Sequence, residues 1–411
     1  MSENKDKTVI IALLMAALLF FVFGFLTWVN GTLIAFFKKT FELNHLNSYL
    51  VTFAYYLSYT IMAIPSSVLL RKVGFRNGMS IGLLIMAIGS AIFVPAAVLA
   101  SYPTFLFGLF TTGIGLTLLQ TAVNPYVTLM GPIESGARRV SFMGFSNKIG
   151  GITGQVILGS ILLHGATTIV RQDELNKIII PYFVFAVIFA VLSFILKKND
   201  WFPEIDKDET KDSLDDLSQT DKKSVFQFPN LVLGVIALFC AGAVEVMTID
   251  SIINYGLTLG FPETKAKLFG AYTLIAMIVG YLSGMIFIPK YIRQERYLLY
   301  AAIVGSMLTI FAIYSTGFSS VIFIAILGFV NAIFWPAIWP LALKGLGKFT
   351  KTGSALLMMS VCAGAIIPLL YGYIADIIGS AQKAYWIIVS CYLYIVYYAL
   401  LGYKKENWSG R

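Results

Sequence analysis

Long apolar runs separated by short polar breaks make up nearly the whole chain. Runs of about 20 residues or more, enough to cross a hydrocarbon layer as a helix, fall at roughly 8–37, 46–70, 78–100, 103–130, 137–164 and 178–197. A second set follows at roughly 229–259, 264–289, 297–315, 318–344, 352–375 and 384–402. The pattern predicts an all-α polytopic membrane protein with twelve transmembrane helices in two six-helix bundles. Between the sets lies NDWFPEIDKDETKDSLDDLSQTDKKS, too charged and too poor in apolar residues to pack. The expected organisation is an N-terminal bundle at 1–198, a cytoplasmic linker at 199–228 and a C-terminal bundle at 229–411. The first apolar run is too long for a signal-peptide core and lacks a small-residue cleavage site, so it reads as an uncleaved span.

Composition agrees with this reading. Of 411 residues, 58% are hydrophobic and 12% charged, with mean hydropathy +0.80; a soluble chain of that makeup would aggregate. The net charge of +9 would suggest nucleic acid in a soluble protein. Here loop asymmetry explains it: with both termini inside, about 22 of the 30 Lys and Arg fall in cytoplasmic segments and about 7 outside. Arg71, Lys72 and Arg76, then Arg138 and Arg139, then Lys290, Arg293 and Arg296, then Lys344, Lys348 and Lys351 carry the bias. The expected location is a plasma membrane, the inner membrane of a bacterium, with both termini cytoplasmic. No nucleic-acid partner is expected, and the protein should be a monomer in the lipid bilayer.

Several enzyme classes lose support. There is no GxxxxGK[ST] phosphate loop. His45 and His164 lie far apart without ligand companions, and Cys240, Cys362 and Cys391 sit in apolar runs without CxxC spacing, so neither metal nor other cofactor is expected. No nucleophile has a base placed to activate it.

What remains is a set of amides and charges at membrane depth. Lys148 follows the Arg138–Arg139 loop by ten residues, or about 15 Å of helix rise, which puts it near mid-bilayer. A cation there is expensive, and function is the default explanation. Glu245 sits near the centre of its own helix, and Asp250 lies about 7.5 Å further along and roughly 140° around it. These three form the candidate coupling and charge-pair set; both acids can face one cavity only if their helix bends or unwinds.

Candidate substrate ligands are Asn30, Gln120, Asn124, Asn147, Asn254, Asn331 and Trp335. Gln120/Asn124, Asp250/Asn254 and Asn331/Trp335 are spaced i, i+4 and share helix faces. Amides both donate and accept, which suits a ligand with several hydroxyls, and aromatic faces suit the C–H faces of a pyranose. Trp28 is about 200° from Asn30 on a continuous helix, which assigns it to packing or the aromatic belt. Glycines in the fifth span (Gly144, Gly150, Gly151, Gly154, Gly159) and the eleventh (Gly353, Gly364, Gly372) suit close helix approach and sliding. A weak repeat at an offset of about 215 residues aligns LLQTAVNPY at 118–126 with IFWPAIWPL at 333–341.

FGFLTWVNGTLI, QTAVNPYVTLMGPIESGARR, FSNKIGG, GAVEV and FWPAIWPLALKGLGKFTKTGSALL with IIPLLYGYIAD resemble the fucose–proton symporter family of the major facilitator superfamily, in its glucose/galactose branch. The resemblance implies twelve helices, alternating access and import of a hexose or hexose derivative driven by a cation gradient, a proton or sodium. Two departures matter. The family's acid after the asparagine matching Asn30 is Gly31 here, and its glutamate is Gln120, although glutamine is usual in the glucose branch. Coupling by those acids therefore does not carry over, leaving Lys148, Glu245 and Asp250 as the titrating groups. The expectation is a cation-coupled sugar importer with a cavity between its halves. The alternatives are an uncoupled facilitator and a sugar sensor without flux.

Overall fold

The computed structural model describes residues 2–129, 136–163, 171–198, 222–288, 290–405 and 407–408. His164 and most of the polar linker lie outside this set, as do the side chains of Asn124, Arg138 and Arg139. The main helices are α1 Ser2–Thr27, α2 Asn30–Thr40, α3 Leu50–Val98, α4 Tyr102–Leu129, α5 Gly136–Leu162 and α6 Arg171–Lys198. They continue as α7 Pro229–Asp250, α8 Ile252–Thr258, α9 Phe269–Phe287, α10 Gln294–Tyr314, α11 Gly317–Asn331 and α12 Phe334–Leu343. The last three are α13 Thr350–Met359, α14 Ala363–Ile378 and α15 Trp386–Leu400.

Among the described residues ten helical segments are long and apolar enough to cross a membrane, and eleven when Leu50–Met62 and Ile64–Leu70 are joined as one bent span. That bend, 51°, sits just before Pro65, whose ring removes a backbone donor and crowds the carbonyl of Ile61. Helix α3 continues through Gly74 at φ +80°, where the chain turns out of one span and into the next. With 27 residues, α5 rises about 40 Å and is long enough to be the twelfth span; its polar face, with Lys148 and Gln155, makes it less apolar than the rest.

Three predicted spans carry an interruption of one or two residues in their helical hydrogen bonding, without a sharp bend at the first and tenth. The first is interrupted at Trp28–Val29, between α1 and α2. The seventh breaks at Ser251, between α7 and α8, and the tenth at Ala332–Ile333, between α11 and α12. At the tenth the cause is Pro336: it has no N–H for the carbonyl of Ala332, four residues back. Discontinuous helices at membrane depth free backbone groups, and such spans are where transporters build their sites.

The chain divides into two compact units, Met1–Ile205 with Phe261–Ala271, and Asp206–Gly260 with Tyr272–Arg411. In the first unit, backbones meet where side chains are missing. A Cβ on Gly24 would lie 1.6 Å from the carbonyl oxygen of Asn147, and one on Gly150 2.0 Å from that of Phe21. Gly154 faces the carbonyl of Phe25 in the same way, so α1 and α5 are in backbone contact over two turns. Gly82 and Gly115 bring α3 against α4 by the same device. Ser80 and Ser193 join α3 to α6 through hydroxyl contacts, and Arg76 donates to the carbonyls of Leu196 and Lys197 at the end of α6. In the second unit α7 is the most enclosed span, and Gly280 and Gly328 let α9 and α11 approach backbone to backbone.

Candidate functional site

Of the two roles expected for Trp28, the structure shows packing. Trp28 is 6% exposed, and no belt residue. Its indole N–H donates to Asn147 Oδ1 at 3.0 Å, and its ring holds the ammonium of Lys148 at 4.0 Å from the centroid. Its carbonyl, freed by the break, accepts from Gln155 Nε2 at 2.7 Å. One tryptophan is thus tied to three side chains of α5.

Lys148 is 4% exposed and faces the protein interior. Gln155, absent from the sequence-derived set, lies seven residues on from Lys148 and therefore on the same helical stripe, a signal available in NKIGGITGQ. Its Nε2 is used at the interruption and its Oε1 has no hydrogen-bond partner among the described residues, with the residue wholly buried.

Asn147 is a latch between α1 and α5: Oδ1 accepts from Trp28, and Nδ2 donates to the carbonyl of Phe20 at 3.3 Å. Asn30 differs. It opens α2, is completely buried, and neither of its amide atoms has a hydrogen-bond partner among the described residues. Such a group costs about 1–3 kcal/mol per orphaned donor or acceptor, so an amide left this way is poised for a ligand with hydroxyls. Beside it, Thr27 Oγ1 lies 3.0 Å from Tyr55 Oη, and Tyr55, Tyr56 and Tyr59 form a ring cluster with centroids 5.2–6.0 Å apart. Gln120 is half-buried on α4, and Asn124 follows it on the same helix.

In the second unit Asn331, one of the expected sugar ligands, spends its amide on neighbouring helices. Its Nδ2 donates to Thr248 Oγ1 at 3.1 Å and to the carbonyl of Val244 at 3.3 Å, and its Oδ1 accepts from Tyr392 at 2.7 Å. With 1% exposure and all three contacts made, it clamps α11 to α7 and α15. Trp335, half-buried, packs against Trp339 with centroids 6.4 Å apart and approaches Gly242 of α7. Asn254 is buried on α8, just past the second break.

Glu245 and Asp250 are both buried on α7, at 8% and 0% exposure. The interruption comes at Ser251, after both acids, so the helix is regular between them and their roughly 140° separation stands. The unwinding that would turn both carboxylates one way is not where it is needed. Ser251 itself is held by the carbonyl of Met247 and by Tyr385 Oη, while Tyr255 Oη meets Ser320 Oγ at 2.5 Å. Among the described residues no group of three or more His, Cys, Asp or Glu is placed to hold a metal ion.

Residues 16–367 match the model of the Major Facilitator Superfamily. The chain is 34% identical to a glucose/galactose transporter of Brucella abortus over 98% of its own length and 96% of that protein. It is 26% identical to the L-fucose-proton symporter of Escherichia coli, over 96% of this chain and 94% of that one. The crystal structure of a variant of the Escherichia coli fucose:proton symporter superposes with TM-score 0.69 at 24% identity, over 95% and 98% of the two chains, a likeness of fold. The family model covers most of the length: the chain is a member of the Major Facilitator Superfamily.

Proposed function

We propose that the protein is a secondary active transporter that imports a hexose or hexose derivative by alternating access, with uptake coupled to a cation, in the first place a proton. The observation that carries this is Asn30. Its buried amide lacks any hydrogen-bond partner among the described residues, opens the helix after the interruption, and lies two residues on from the tryptophan that seats Lys148. The relatives named for glucose, galactose and fucose supply the substrate class.

In this reading Asn30, Gln120 and Asn124, with Asn254 and Trp335, meet the sugar's hydroxyls and C–H faces. Asn147 and Asn331 hold the helices that carry those groups. The tyrosine cluster beside Thr27 adds aromatic surface. Lys148, Glu245 and Asp250 are the charges whose protonation links to conformation, taking the place of the family acids that Gly31 and Gln120 do not supply. The protein works as a monomer in a plasma membrane, with both termini in the cytoplasm. A proton bound with different affinity in the two conformations shifts the balance between them, which is all that coupling requires.

The test is uptake into proteoliposomes of radiolabelled glucose, galactose, fucose, N-acetylglucosamine and mannose, each with and without an imposed proton or sodium gradient. Accumulation above equilibrium under a proton gradient, lost in Lys148→Met while counterflow persists, supports the reading. Equilibration only, under every gradient, makes the protein a facilitator. Binding without counterflow makes it a sensor.

A further inference from the structure

The cysteines are scattered along the sequence, and the fold brings two of them together. Cys240 lies eleven residues after Pro229 at the start of α7, about 16 Å along that helix. Cys391 lies nine residues before Leu400 at the end of α15, about 14 Å back along it. Both thiols are free and buried, and both helices belong to the same compact unit. Cys362 lies in the 3₁₀ turn Ser360–Cys362, on neither helix.

The register of α7 against α15 is pinned at both ends. Tyr398 Oη donates to the carbonyl of Asn230 at 3.3 Å, and Tyr394 Oη to that of Leu233 at 3.4 Å. At the far end Ser251 Oγ lies 2.6 Å from Tyr385 Oη. Positions rising along α7 thus meet positions falling along α15, which is antiparallel packing. Leu233 and Cys240 are seven residues apart, as are Cys391 and Tyr398, so each cysteine continues the stripe that its helix gives to the other. Small residues keep the seam thin: Ala237 and Ala241 flank Cys240, and a Cβ on Gly234 would lie 3.0 Å from Tyr398 Oη. In the middle of the seam the thiols of Cys240 and Cys391 hydrogen-bond each other. Ile236, one turn before Cys240, and Leu393, two residues after Cys391, are exposed, so the seam borders an apolar surface that a small lipid-soluble reagent reaches.

We propose that Cys240 and Cys391 form a dithiol modification site, oxidised reversibly to a disulfide that ties α7 to α15. A free cysteine packs like any small apolar residue; what two in contact add is the capacity to join. Two S–H bonds break and one S–S bond forms. The two protons leave to solvent, and the two electrons pass to a lipid-soluble two-electron oxidant. With iodine as that oxidant, the I–I bond breaks and two iodide ions result. The tie holds the stretch of α7 that precedes Glu245 to the last long helix. It is independent of which sugar or cation the protein carries.

The test uses the full-length protein in detergent, treated with stoichiometric iodine, quenched, unfolded, alkylated with N-ethylmaleimide and weighed by intact mass spectrometry. Wild type should fall from three alkylated thiols to one, and dithiothreitol before alkylation should restore all three. Digestion of the oxidised protein should return a peptide joining Cys240 to Cys391. Cys362→Ser should fall from two alkylated thiols to none, whereas Cys240→Ser and Cys391→Ser should each keep both that remain. Three alkylated thiols in oxidised wild type, a bridge that includes Cys362, or a loss of thiols that dithiothreitol does not reverse overturns the assignment. If a serine on the seam prevents folding, wild type and Cys362→Ser decide the matter by themselves.

Discussion

Seating Lys148 on Trp28 makes a quantitative claim about the first and fifth spans. A lysine at the centre of a membrane helix costs about 2.5–3.5 kcal/mol on insertion scales. A desolvated ammonium over an indole face recovers about 2 kcal/mol of that, and the structure places it 4.0 Å from the centroid at 4% exposure. The perturbation is a double-mutant cycle with Trp28→Leu and Lys148→Met, which cancels whatever each residue does with its other neighbours. Trp28→Leu alone is the harsher change. It leaves Lys148 without its seat and Asn147 Oδ1 without its donor, a penalty of about 1–3 kcal/mol for the amide oxygen before any cavity is counted. Lys148→Met alone removes the buried charge and should be tolerated, since an apolar side chain of similar length replaces an expensive one. The coupling energy between the two sites should be about 2 kcal/mol, close to thirtyfold in an equilibrium constant. Unfolding of the purified variants in mild detergent, followed by far-UV circular dichroism with denaturant, measures it. Additivity within about 0.3 kcal/mol would show that amine and ring do not interact, and the role assigned to Trp28 would fall with it.

Other outcomes follow from the same geometry. Asn30→Ala deletes two orphaned polar atoms, so the variant should be as stable as wild type or more so by about 1 kcal/mol, while sugar uptake shows a raised KM; an unchanged KM refutes the contact. Asn331→Leu should cost about 2–4 kcal/mol in unfolding, because Tyr392 Oη and Thr248 Oγ1 lose a partner inside the fold. Gly24→Ala and Gly150→Ala put a methyl into a backbone carbonyl, whereas Gly144 has nothing within 4 Å of the added carbon. The first two should abolish recovery of monodisperse protein by size-exclusion chromatography. Gly144→Ala should raise the melting temperature slightly, by up to about 1 kcal/mol of helix propensity.

The spans were legible because lipid leaves only one way to satisfy a backbone, and runs of twenty apolar residues record it. The burial of Lys148 was legible for the same reason. What the sequence hid was the interruption of three helices. Angular arguments assume continuity, and at Trp28 they left two roles open, packing and the aromatic belt, of which burial selects the first. Local hints exist in the β-branched and low-propensity runs Thr27-Trp28-Val29-Asn30-Gly31 and Thr248-Ile249-Asp250-Ser251-Ile252, but neither holds a proline. At Ala332 a proline was there to be read four residues downstream. Asn331 shows the other limit: a buried amide that binds ligand and one that binds neighbouring helices look alike until Tyr392 and Thr248 are placed around it.

The glycine contacts of α1 with α5 have a mechanical consequence. Gly24, Gly150 and Gly154 leave no side-chain layer that could shear, so those two helices travel as one rigid piece. Trp28 rides with that piece, because its indole and carbonyl are bonded to Asn147 and Gln155 of α5. The ring on which the lysine rests therefore keeps its place relative to the amine whenever the two helices move. The seat is carried by the moving part as a unit.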